Sequence, residues 1–403
     1  MYRRFRRLAA VLLLASAALS AEYAGFLASP KLRSSEGGSR TLAQANEERQ
    51  FLSRIRRLTV EGRRAGEGYW SRDGRQLVFQ SEREPGNPFY QIYLMDMQTG
   101  DVQRLSPGMG KTTCSFINPE TGDVLFSSTH HDPRSKQLQD EELKFRASGQ
   151  ERRYSWDYDP EMEIYVRSAR TGTLRRLTNR RGYDAEASFS PDGEWIVFSS
   201  TRDAYDRTLS PAEQKQLGVD PSFFGEIYIM RADADGSLPA GASAAAGGVR
   251  RLTNVTGYDG GPFFSPDGTR IIWRRFDEAG LIADIWTMNL DGTDQRKITD
   301  FGAMSWAPYI HPSGQYVIFA SNKLGFENFE LFLVDIDGRK EPVRVTHTDG
   351  FDGLPVPSPD GTQIAWTSNR AGGREGQIFL AAWNHAAALA AVTAAPARGV
   401  RPR

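Results

Sequence analysis

Apolar residues along this chain come in short runs that follow a recurring turn. Ser190-Pro191-Asp192-Gly193, Ser265-Pro266-Asp267-Gly268 and Ser358-Pro359-Asp360-Gly361 each precede such a run. Degenerate copies stand at Ser71-Arg72-Asp73-Gly74, Asn118-Pro119-Glu120-Thr121-Gly122 and His311-Pro312-Ser313-Gly314. Pro presets the first corner, Asp bonds its own backbone and Gly accepts a positive φ, so every copy predicts a tight strand reversal. The runs Leu77-Val78-Phe79, Val124-Leu125-Phe126, Ile196-Val197-Phe198, Ile271-Ile272-Trp273, Val317-Ile318-Phe319 and Ile364-Ala365-Trp366 predict buried strands.

A further strand carries a polar, an aliphatic and an aromatic residue: Gln91-Ile92-Tyr93, Glu163-Ile164-Tyr165, Glu226-Ile227-Tyr228, Asp284-Ile285-Trp286, Glu330-Leu331-Phe332 and Gln377-Ile378-Phe379. With the strand before each turn this makes three per unit. A fourth reads Arg-Leu-Thr or nearly so, from Arg104-Leu105-Ser106 to Arg344-Val345-Thr346, and is missing after Phe379. It stands instead at Arg57-Leu58-Thr59, ahead of the first turn. A sheet whose outer strand comes from the opposite end of the chain closes a ring without open edges. The pattern therefore predicts an all-β, six-bladed β-propeller of four-stranded blades with an N-terminal closing strand.

On these repeats, residues 55 to 385 resemble the PD40 (WD40-like) repeats of the TolB-like propellers, an exported family. The stretch Lys111-Thr112-Thr113-Cys114-Ser115-Phe116 with Ser128-Thr129-His130 also resembles exported TolB-like proteins, some of which carry a peptidase domain. The Tol protein has an α/β domain before its propeller, and too few residues precede Arg54 for one here. The resemblance implies a fold, not an activity.

Composition changes the picture little. Fifty basic and fifty acidic residues cancel, which implies neither a nucleic-acid partner nor a strongly acidic one. Cys114 is the sole cysteine, so no intrachain disulfide forms. Arg3-Arg4-Phe5-Arg6-Arg7, an apolar run from Leu8 to Leu19 and the small residues after it describe a secretory signal peptide over 1–20. An uncleaved inner-membrane anchor is the alternative, and sole source of membrane association. Residues 21–54 read as a linker and 386–403 as a disordered Ala/Pro/Arg tail. A monomer is expected.

Candidate chemistry lies before the innermost strands. Asp184, Asp259 and Asp352, joined by Glu186 and Glu67, are expected at one mouth of the axial channel. Converging carboxylates call for a cation such as Ca²⁺, held by the three aspartates, or for a basic peptide. The competing reading makes each Asp a turn residue that bonds neighbouring backbone. Arg83, His130, Arg202, Lys323 and Arg370 follow the post-turn strand as a basic rim, suited to an anionic group or to ion pairs within the blades. The insertion from His131 to Pro160 brings Tyr154, Trp156 and Tyr158, candidates for a partner contact or for packing on their own blade. No catalytic residues are assigned. The sequence reading is a non-catalytic scaffold for a protein or peptide in the periplasm; the alternative is a metal-dependent lyase, lactonase or hydrolase.

Overall fold

The computed structural model describes residues 42–150, 158–233, 248–373 and 375–399. They form six four-stranded antiparallel sheets. Five follow the chain from innermost to outermost strand; in blade 1 the strands are Arg64–Trp70, Gln76–Glu82, Gln91–Asp96 and Val102–Arg104. Blade 6 joins Asp352–Pro357, Gln363–Ser368 and Gln377–Trp383 to β1 (Leu52–Arg57), with Leu52 opposite Trp383 and Arg57 opposite Phe379. The ring closes as the repeat pattern predicts.

The turns hold for the reasons their residues suggest. Ser190 Oγ accepts from Trp195 N, Asp192 Oδ1 accepts from Glu194 N, and Gly193 sits at φ 69°. His311 replaces Ser in its copy, and its Nδ1 accepts from Ser313 N. The second-strand aromatics Phe79, Phe126, Phe198, Trp273, Phe319 and Trp366 are fully buried. Each blade thus adds its own slab of core between neighbours.

Antiparallel order sorts the connections onto two faces. Hairpins between first and second strands share one face, where Asn118 Nδ2 of one turn donates to Gly193 O of the next at 3.0 Å. The opposite, loop face carries the links between blades and the connections between second and third strands, which touch one another at Ala283–Met304 and Phe329–Phe351. Both insertions emerge there. Blade 2 inserts a helix, Ser135–Ala147; blade 3 inserts Asp203–Asp206 and Pro211–Val219. The last is held at its start by Ser210 and Glu213 in a capping box, with Pro211 in its first turn.

The chain departs from expectation at both margins. Inside the expected linker, Leu42–Phe51 is a helix that runs into β1, and Phe51 stacks on Trp383 at 6.2 Å. Inside the expected disordered tail, His385–Ala394 is a helix capped by Asn384, with Ala388 and Val392 buried on the ring. Alanine is the best helix former, and an i,i+4 pair suffices to seat one face, so the Ala-rich composition misled. The expected signal peptide lies outside the described residues.

Candidate functional site at the propeller axis

The innermost strands set the expected acids at two levels. Asp184, Asp259 and Asp352 each open such a strand and are fully buried. Each meets an arginine of its own blade. Arg202 Nη2 reaches Asp184 Oδ2 at 2.5 Å; Arg275 grips Asp259 through Nε at 2.8 Å and Nη2 at 2.7 Å; Arg370 Nη2 reaches Asp352 Oδ2 at 2.7 Å. Trp366 Nε1 donates to the other oxygen of Asp352. The structure does not bring the three aspartates together, and a guanidinium rather than a shared cation balances each. No group of three or more His, Cys, Asp or Glu among the described residues is arranged to hold a metal ion.

These pairs belong to a latch between blades. Glu226, at the start of a third strand, accepts from Thr253 Oγ1 at 2.5 Å and Arg251 Nη2 at 2.7 Å, while Asp259 of the next blade donates its N–H to Gly225 O. Glu330 with Arg344, Thr346 and Asp352 repeats the arrangement. Burial, with the charge of the next blade's aspartate, pushes the carboxyls of Glu163, Glu226 and Glu330 up to about 7. The polar residue before Ile-Tyr, the Arg-Leu-Thr strand and the Gly-aromatic-Asp segment are three parts of this one joint.

The axis is lined one step deeper. Every innermost strand bulges, and its bulged residue takes a left-handed backbone: Glu67, Cys114, Glu186, Gly261, Ala307 and Leu354, with φ from 49° to 58°. Five of the six are not glycine, at a cost of roughly 1 kcal/mol each. Below them the rings of Tyr69, Phe116, Phe263 and Tyr309 touch at 5.2–6.2 Å and fill the middle of the axis.

Above this floor, Glu186 accepts from Tyr258 Oη at 2.5 Å, Gly261 N at 2.6 Å and Arg274 Nη2 at 2.7 Å. Glu67 lies across from it. Cys114 Sγ approaches Glu67 Oε1 at 4.0 Å, and Glu67 Oε2 is buried without a hydrogen-bond partner. Burial, then the charge of Glu186, raises the Glu67 carboxyl to about 7. Burial and both carboxylates push the Cys114 thiol well up, so it stays protonated at neutral pH. Of the five expected axial acids, the structure brings Glu67 and Glu186 together.

The PD40 model, described as the TolB beta propeller domain, matches residues 260–401. The chain is a six-bladed β-propeller similar to TolB. It is similar to an uncharacterised protein of Agrobacterium fabrum, 32% identical over 212 residues, which are 50% of this chain and 60% of that protein. It is similar also to the Tol-Pal system protein TolB of Francisella tularensis, 29% identical over 195 residues, 44% of each chain. In both cases the match spans less than two thirds of the relative's own length. A solved TolB-type structure from Agrobacterium tumefaciens superposes with a TM-score of 0.51 at 20% identity, covering 79% of this chain and 90% of that one, which shows the fold.

In this propeller four of the five residues of the expected basic rim are spent inside the blades, while Lys323 stays exposed on the loop face. Arg202 and Arg370 serve Asp184 and Asp352, as above. Arg83 lies over the Tyr93 ring at 4.7 Å, His130 packs on Tyr165 at 4.4 Å, and Lys323 lies over Phe301 at 4.6 Å. Burial, then the neighbouring His131, lowers His130 to about 4, leaving it neutral. Of the three insertion aromatics, Tyr154 and Trp156 lie outside the described residues. Tyr158 packs edge-on against Tyr183 at 5.1 Å and Tyr258 at 5.5 Å, which draws the blade 2 insertion over the Glu186 cluster.

Two residues of the site escaped sequence reasoning. Arg274 and Arg275 follow Trp273, where the other blades have Gln80-Ser81, Ser127-Ser128, Ser199-Ser200, Ala320-Ser321 and Thr367-Ser368. That break in the repeat was a legible signal. One arginine goes to the axis and the other to the latch.

Proposed function

We propose that this TolB-like propeller is an exported, non-catalytic scaffold that holds a protein or peptide partner in the periplasm through its loop face, including the axial mouth and both insertions. One observation carries the reading. Of eleven large apolar side chains exposed among the described residues, nine sit on loop-face connections: Val60, Met109, Leu143, Val219, Val255, Leu281, Ile282, Leu324 and Phe326. Only Val102 and Leu174 lie elsewhere, on outer strands. One-sided apolar exposure with a polar surround is the mark of a docking surface. The relative named for the Tol-Pal system is in keeping with a protein partner. No helix among the described residues is long and apolar enough to cross a membrane.

A second reading, an enzyme of lyase, lactonase or hydrolase type, is favoured by Glu67, a buried carboxyl poised near neutrality as general bases are. The test is in-cell photocrosslinking from Val219 and Val60 on the loop face and from Thr121 and Glu194 on the hairpin face, after fractionation. Discrete adducts from the loop face of periplasmic protein support the scaffold. Equal adducts from both faces, or turnover of lactones or oligouronides abolished by Glu67→Gln, overturn it.

A further inference from the structure

The apolar exposure is densest on blades 4 and 5, and there it is combined with one sign of charge. Leu281 is 58% exposed and Ile282 38%, on the connection between the second and third strands of blade 4; Leu324 is 49% and Phe326 69% on the matching connection of blade 5. These two loops form one surface, because both bind the same link between the blades. Ala283 N donates to Ala303 O, and Met304 N donates to Asn322 Oδ1 at 2.9 Å. Both loops are ordered before any partner arrives. Asp277 Oδ1 accepts from Leu281 N and Ile282 N, and Gly325 N donates to Asn322 O with Asn328 N to Gly325 O. The hydrogen bonds are spent holding backbone, so the apolar tips project instead of folding under.

The charges around these tips are lopsided. Asp277, Glu278, Asp300, Glu327 and Asp349 stand on the loop-face segments of blades 4 and 5, against two lysines: Lys323, whose ammonium lies over Phe301, and Lys297, which reaches Asp300 at 3.9 Å. We infer that this surface takes a basic amphipathic segment of a partner protein, its Leu- or Phe-like side chains between Leu281 and Phe326 and its Lys or Arg side chains toward Glu278, Glu327 and Asp349. The inference rests on the scaffold reading and narrows it to one sector and one partner chemistry. An anionic membrane is disfavoured as occupant because the same five acids repel it. A partner with acidic flanks would meet like charge, which costs affinity and slows encounter.

The probe is a labelled 18-residue Lys/Leu amphipathic peptide, with a Glu/Leu peptide of the same pattern and vesicles rich in phosphatidylglycerol as comparisons. The full chain is titrated with each in 50 mM and 500 mM salt. The Lys/Leu peptide is expected to bind, with affinity at least tenfold weaker in high salt. Leu281→Ser/Phe326→Ser and, separately, Glu278→Lys/Glu327→Lys are each expected to weaken it tenfold or more, with melting temperature unchanged because all four side chains are exposed. Binding that survives both variants, preferential binding of the Glu/Leu peptide or of vesicles, or a concentration-dependent self-association abolished by Leu281→Ser/Phe326→Ser would overturn the proposal. Loop-face crosslinking with failure here removes this sector and partner chemistry alone; loss of loop-face crosslinking removes the scaffold reading itself.

Discussion

Arg275→Met is the sharpest test of the inter-blade latch. The substitution keeps the aliphatic bulk over Trp286, on which the guanidinium rests at 4.6 Å, and removes both hydrogen bonds to Asp259. Asp259 is fully buried and Glu226 lies beside it, so the stranded carboxylate has neither water nor a countercharge. Removing one partner of a buried ion pair costs about 3–5 kcal/mol. Unfolding entropy of about 2.1 cal/mol/K per residue gives a ring of roughly 350 residues about 0.7 kcal/mol/K, so the melting temperature should fall by about 4–7 °C. Asp259→Leu/Arg275→Met, which leaves no charge behind, should recover at least half of that loss, since the pair is worth little beyond an apolar substitute. Melts followed by circular dichroism at pH 7 provide the measurement. A fall below about 2 °C for Arg275→Met, or a double variant less stable than the single one, would refute the argument that Arg275 is there to neutralise Asp259.

Three further outcomes are expected. Glu226 and Glu330 have folded carboxyls near 7 against an ordinary value near 4.5, so their contribution is complete below about pH 4.5 and is lost as pH rises through 7; the melting temperature should fall from pH 5.5 to pH 8 at constant ionic strength, and a rising profile would contradict this. Gly314→Ala, at φ 71° with open space around it, should cost about 1–2 kcal/mol, whereas Gly193→Ala, at φ 69° with Asn118 Oδ1 2.5 Å from the new Cβ, should cost more; equal denaturant midpoints would falsify the contrast. Deleting residues 1–57 strips β1 from blade 6 and bares the Gln377–Trp383 edge, so the product should aggregate or swap strands instead of eluting as a monomer in size-exclusion chromatography.

What could be read from sequence and what could not divide along a physical line. The repeat announced itself because six copies of the same turn and the same buried triplet obey the same local rules, and the missing Arg-Leu-Thr after Phe379 located the closing strand. The partnership of Asp184 with Arg202 was hidden although both residues had been singled out. Each had been aligned down its own column, as an acidic ring and a basic ring, whereas the pairing runs across columns within a blade. Asp259 shows the limit most clearly: its arginine sits at Arg275, in register with it, while Arg202 and Arg370 stand two residues beyond the register partners of their aspartates. The bulge that turns Glu67 and Glu186 onto the axis has no sequence mark, since five residue types, Glu, Cys, Gly, Ala and Leu, accept the same backbone there.

The closing strand also sets an order of events. Ile378 N donates to Thr59 Oγ1 across 319 residues, and bringing such distant segments together costs about 5 kcal/mol in chain entropy. Blades 1 to 5 are complete in themselves as soon as their own residues are available, but blade 6 waits for a strand that was made first and has had to remain unpaired throughout. A chain cut short anywhere before Gln377 can therefore build most of its walls and never fasten them. The clasp makes wholeness itself a condition of folding, and an unfinished molecule carries its exposed edge as a visible token of incompleteness to any protease that surveys it.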